Sequence, residues 1–140
     1  GLTTNKIEGD HKTPVGEFKF QKIYYRKDKL GEFSFKIPFA VIEKNDGWCD
    51  DPKSKQYNQH IKFPFDASAE KLFRDDDLYD LLCVINHNTD PIVPGRGSAI
   101  FLHISKPNFE GTEGCVAIEK ENIIELAKEI DLTTKLIIKD

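Results

Sequence analysis

The feature that most restricts the fold of this chain is the run Gly16-Glu17-Phe18-Lys19-Phe20-Gln21-Lys22-Ile23-Tyr24-Tyr25, in which apolar and polar residues alternate at most steps. A period of two sends successive side chains to opposite faces of a sheet, so this run predicts a half-buried strand, and a strand needs neighbours. Glu32–Ile37 repeats the alternation. Short apolar runs at Ile61–Phe65, Leu81–Ile85, Ala99–Ile104, Cys115–Ile118 and Leu136–Ile138 are each bounded by Pro, Gly, Asn or Asp and read as further strands. The one clear amphipathic helix is carried by Ile123, Leu126, Ala127 and Ile130, at i, i+3, i+4 and i+7. Ser68–Phe73 is a candidate for a short second helix. The expectation is a mainly β fold with one main helix near the C-terminus.

Between the strand ending near Ile42 and the one near Ile61 lies the polar stretch Glu43–Asn58, read as a long loop. It holds Trp48, the only tryptophan, which either pins the loop to the core or lines a cleft. Without repeats or a linker, the 140 residues read as a single domain, 1–140. A chain of this length buries about two-thirds of its unfolded surface and needs no disulfide framework. Three cysteines leave at least one thiol unpaired. The net charge of −4 comes from 20 basic residues interspersed with 24 acidic ones, which argues against a nucleic-acid partner. No apolar run approaches the roughly 18 residues of a membrane span. The chain starts at Gly1 and holds no methionine, so an export signal, if present, is expected upstream.

The chemistry concentrates late in the chain. An apolar strand ends in His103, a connection follows, and Gly114-Cys115 opens the next apolar run, so the two side chains are placed to meet at neighbouring strand ends. A thiol of ordinary pKa about 8.5 becomes a nucleophile when an imidazole takes its proton. Gly114, lacking a Cβ, lets an acyl group approach, and its N–H beside that of Cys115 can hold an oxyanion. The competing reading is a buried structural cysteine and a hydrogen-bonded core histidine. Cys83, inside Leu81–Ile85, reads as core; Cys49 is open between reactive thiol and disulfide partner. His11, His60, His87 and His103 form no metal-binding spacing, so neither metal nor cofactor is expected. Arg96 either pairs with a substrate carboxylate or stands exposed in its turn.

These residues carry a resemblance that runs along nearly the whole chain. Glu8-Gly9-Asp10-His11-Lys12-Thr13-Pro14-Val15-Gly16-Glu17-Phe18, Asp46–Pro52 with Tyr57-Asn58, Leu78-Tyr79-Asp80, Gly95–His103 and Thr112–Ala117 together resemble the L,D-transpeptidase catalytic domain of the YkuD (ErfK-YbiS) type. The resemblance implies a two-sheet β-sandwich or barrel-like domain and a peptidoglycan-modifying cysteine acyltransferase. Cys115 would be the nucleophile, His103 the base, the Ile104 carbonyl the group that orients its ring, and the Gly114 and Cys115 amides the oxyanion hole. Thr112, Glu113, Arg96 and Trp48 would line the substrate side. The chain departs from the commoner motif with Glu113 in place of a histidine and Ala117 in place of Asn or Arg. Glu113 then either receives an amine or holds the loop.

The implied partners are peptidoglycan stem peptides containing diaminopimelate, with carbapenem-type inhibitors, and the implied location is the periplasm or cell wall. Two alternatives stand beside transfer: hydrolysis by the same Cys-His pair, as a carboxypeptidase or amidase, and a non-catalytic wall-binding module. In an oxidising compartment a working Cys115 must stay unpaired, leaving Cys49 with Cys83 as the one compatible pair.

Overall fold

The computed structural model describes residues 1–106 and 114–139. Its elements, in chain order, begin with β1 (Leu2–Thr3), which pairs in parallel with β2 (Thr13–Pro14). The long alternating run forms β3 (Gly16–Tyr25), followed by one helical turn, α1 (Lys27–Leu30), and the short β4 (Phe39–Val41). β5 (Asp46–Cys49), β6 (His60–Lys62) and β7 (Ala69–Lys71) make a three-stranded antiparallel sheet with β5 central. Then come β8 (Leu81–Ile85), β9 (Phe101–Ile104), β10 (Val116–Ile118), the helix α2 (Lys120–Glu129) and β11 (Lys135–Ile138). The fold is mainly β, with its main helix near the C-terminus.

The central sheet runs β10-β9-β8-β3-β11, with β4 also paired to β3. Every residue of β8 is buried, as expected of an apolar strand covered on both faces. Alternation divides the core in two. Leu81, Cys83, Ile85, Leu102 and Ile104 point to one side, where they pack with Ile123, Ala127 and Ile130 at α2. Leu82, Val84 and Phe101 point to the other, packing with Trp48, Leu72 and Tyr79. The sheet is thus held between the helix and the β5–β7 layer. α2 carries Glu121 in its first turn and Lys128 in its last, in the sense that favours the helix dipole.

Three expectations are corrected. Residues 32–37 alternate but form no strand; Phe33 and Phe35 instead pack their rings against Tyr25, with centroids 6.2 and 5.5 Å away. Residues 68–73 are not helical, because Ala69–Lys71 pairs with Gly47–Cys49 as β7. Residues 43–58 are not all loop. Asp46 masks the strand character of β5, and it is tolerated in burial because it accepts the Glu43 N–H at 2.7 Å and meets His60 Nε2 at 2.7 Å and Lys62 Nζ at 2.6 Å. Burial opposes its ionisation, yet these partners hold its carboxyl below the usual range. None of the three cysteines forms a disulfide; Cys49 and Cys83 are buried, and Cys115 is half-buried. Burial pushes the Cys83 thiol up to about 12, consistent with an inert core residue.

Candidate active site

β10 runs parallel to β9 with Val116 opposite Leu102 and Ala117 opposite His103. Cys115 stands one step before β10, level with Phe101, and the Phe101 N–H points at its Sγ from 3.4 Å. The thiol in turn donates to the Ala99 carbonyl, 3.1 Å away. His103 is two residues past Phe101, so alternation puts its ring on the same face of the sheet. His103 and Cys115 line one cavity of about 330 Å³.

His103 is only 4% exposed. Its Nδ1 lies 2.7 Å from the Ile104 carbonyl oxygen, which can only accept, so Nδ1 carries the proton and the neutral ring keeps its lone pair on Nε2. Burial pushes the His103 pKa down, the Ile104 hydrogen bond pulls it back, and the Arg74 charge pushes it down again. The ring is therefore held in its neutral, proton-accepting form to lower pH than a solvated histidine. Tyr79 stands edge-on between His103 and Phe101, at 5.4 and 5.8 Å, and its hydroxyl donates to Glu70. Arg74 lies 5.3 Å over the Tyr79 ring, its Nε and Nη2 bonded to the Asp76 carboxylate at 2.8 and 2.6 Å.

Ala99, whose carbonyl receives the thiol, adopts φ +53, a left-handed conformation that costs a residue with a Cβ about 1–2 kcal/mol. The strain is offset by Asn58, whose Oδ1 accepts the Ala99 N–H at 3.1 Å and the Trp48 Nε1–H at 2.9 Å. Asn58 Nδ2 donates to the carbonyls of His87 and Asn88, at 3.3 and 2.8 Å. Trp48 is buried, edge-on to Phe101 at 5.1 Å. It is not among the residues that line the cavity, and it meets Ala99 only through the shared Asn58 Oδ1.

Gly114 has φ +109, and a Cβ built there would lie 2.8 Å from the Lys12 carbonyl oxygen. Only glycine fits both the backbone and the space. The rest of the cavity wall mixes signs: Glu8, Asp50 and Glu70 with Arg74 and Lys106. The Glu8 carboxylate is fixed by the Tyr57 hydroxyl at 2.7 Å and the Ser98 hydroxyl at 2.5 Å. Burial and that carboxylate push the Tyr57 pKa up, keeping it a donor.

Of the residues singled out from sequence, Cys115, His103, Gly114 and Ile104 come together. Arg96 is exposed, donates from Nη1 to Asn5 Oδ1 at 2.7 Å, and is not among the residues that line the cavity. Thr112 and Glu113 lie outside the described residues. Sequence reasoning gave no role to Arg74, Tyr79, Glu8 or Asn58. Arg74 precedes Asp75-Asp76-Asp77, which reads as a solvated turn or helix start, and the other three stand in stretches that carry the family resemblance without a chemical signal of their own.

Comparison with known proteins gives no significant match among curated proteins or solved structures. A family model does match: YkuD, described as the L,D-transpeptidase catalytic domain, over residues 1–138. With a cysteine and a neutral histidine facing one cavity inside a match that spans nearly the whole chain, the protein belongs to the YkuD L,D-transpeptidase catalytic domain family.

Proposed function

We propose that this chain is a single catalytic domain acting as a cysteine L,D-transpeptidase on peptidoglycan stem peptides containing diaminopimelate. The observation that carries this reading is the shared cavity of Cys115 and His103, with the His103 lone pair on Nε2. His103 takes the Cys115 proton, and the sulfur attacks the carbonyl of the donor stem. The oxyanion of the tetrahedral intermediate rests on the Gly114 and Cys115 amides. Collapse breaks the peptide bond, His103 returns the proton to the departing amine, and a D-amino acid leaves behind a thioester on Cys115. An amine of a second stem attacks the thioester while His103 takes its proton, and the thiol is restored. Carboxylates and cations on one cavity wall suit a zwitterionic peptide better than a polyanion.

Such a substrate lies outside the cytoplasmic membrane, which places the domain in the periplasm or cell wall. Among the described residues no helix is long and apolar enough to cross a membrane. The test is intact mass after incubation with a tetrapeptide stem or a carbapenem. Wild type should gain one acyl group and Cys115→Ala none; an unmodified wild type, or equal adducts on both, overturns the reading. Product analysis with stem peptides separates the chemistries: cross-linked dimers mean transfer, and shortened monomers alone mean hydrolysis.

A further inference from the structure

The steps above leave unused a buried ammonium beside the site. Lys6 is 7% exposed, and its Nζ pairs with the Asp10 carboxylate and donates to the Ile7 carbonyl at 3.2 Å. The same carboxylate accepts the Ile7 N–H at 3.1 Å and the Lys12 N–H at 2.9 Å. One side chain thereby ties residues 6, 7 and 12 into a closed turn. Burial opposes ionisation of Asp10, but the bonds from Lys6, Lys12 and Ile7 outweigh it and hold its pKa at about 2.

This turn is pressed against two glycines. A Cβ at Gly97 would meet Lys6 Cγ at 2.9 Å, and a Cβ at Gly114 would meet the Lys12 carbonyl oxygen at 2.8 Å and Lys6 Nζ at 3.5 Å. The stem of Lys6 therefore passes over Gly97, on the segment leading to Ala99, and its charge ends beside Gly114. The first segment supplies the Ala99 carbonyl to the Cys115 thiol, and Gly114 immediately precedes Cys115 in the chain.

We propose that Lys6 and Asp10 form a bracket that positions the oxyanion hole. The turn fixes the backbone of Gly114 from outside, and the Lys6–Asp10 ion pair holds that turn closed. Lys6 and Asp10 are positioning residues, touching no substrate. This inference rests on the cysteine acyl-transfer reading of the site.

Two reactions of the same sulfur separate positioning from mere stability. Acylation by a stem peptide or carbapenem passes through an oxyanion. Alkylation by iodoacetamide displaces iodide and needs no oxyanion hole. In Lys6→Met, which keeps the stem and removes the charge, and in the near-isosteric Asp10→Asn, acylation should fall about tenfold while alkylation at Cys115, read by peptide mapping, stays within about twofold. Melting curves identify which variants are folded at the assay temperature, and the ratio of the two rates is read on those. Equal losses in both reactions, loss of neither, or unfolding of both variants at the assay temperature overturns the bracket as a positioning device. A wild type that is alkylated but never acylated overturns the reading of the site itself, and the bracket with it.

Discussion

Replacing Gly114 by alanine tests the packing around the nucleophile most directly. A non-glycine residue at φ +109 carries strain of about 1–3 kcal/mol. The new Cβ would also lie 2.8 Å from the Lys12 carbonyl oxygen and 3.3 Å from Ile100 Cδ1. The methyl can yield by rotation, but the carbonyl belongs to a turn closed by Asp10, so either that turn or the Gly114 backbone must move by about 0.5 Å. Overpacking of this kind adds about 1–3 kcal/mol, giving a total of about 2–6 kcal/mol. At about 3–4 °C per kcal/mol for a chain of this length, Tm should fall by about 6–24 °C. A shift of about 0.5 Å at Cys115 should also slow acylation at least tenfold. Scanning calorimetry reads the first effect and timed intact mass the second, below the melting transition. Gly31→Ala is the control: Gly31 has φ +85 with nothing within 4 Å of its Cβ position, so it carries the strain without the collision and should cost clearly less. A Gly114→Ala protein with Tm and acylation rate both close to wild type, or no different from Gly31→Ala, would refute the reasoning.

Two further outcomes follow from the same geometry. In Arg74→Gln a positive charge is lost and the Asp76 charge is left uncompensated, and both changes raise the His103 pKa. Because the base is the neutral ring, the acidic limb of the acylation rate, expected below about pH 6.5 in wild type, should move to higher pH; an unmoved or lowered limb contradicts the assignment of His103 as base. Trp48→Phe loses the hydrogen bond to Asn58 and leaves a small void against Phe101, costing about 2–3 kcal/mol, while acylation below the melting transition stays within about threefold. A tenfold loss of acylation at unchanged Tm would make Trp48 part of the cavity wall.

What the sequence revealed and what it hid divide along the range of the interactions. β3 and α2 announce themselves because their periods reflect burial on faces fixed by local geometry, and β8 because an unbroken apolar run fits a strand covered on both faces. Residues 32–37 show the limit of that logic, since alternation records which side chains are buried and not whether the backbone finds a partner. β5 fails in the opposite direction: its acidic residue suggests a loop, and only His60 and Lys62 on the neighbouring strand make Asp46 acceptable inside. Cys115 and His103 were legible as chemistry, but their meeting depends on the parallel register of β9 and β10, which no local pattern contains. Arg74, Glu8 and Asn58 are ordinary polar residues until the fold brings them to Tyr79, Tyr57 and Ala99.

Several of the contacts that prepare this site are made by main-chain atoms: the Ile104 carbonyl on His103, and the Ala99 carbonyl and Phe101 amide on the thiol. Side-chain replacement cannot delete them. The Ile104 side chain faces the helix core, so a scan of that position would report packing and stay silent about the imidazole. Semisynthesis could reach these groups, for instance an ester in place of the Phe101 amide, which removes the donor to sulfur while keeping every side chain. Mutational tolerance at positions 99, 101 and 104 would then be a poor guide to how much the chemistry depends on them.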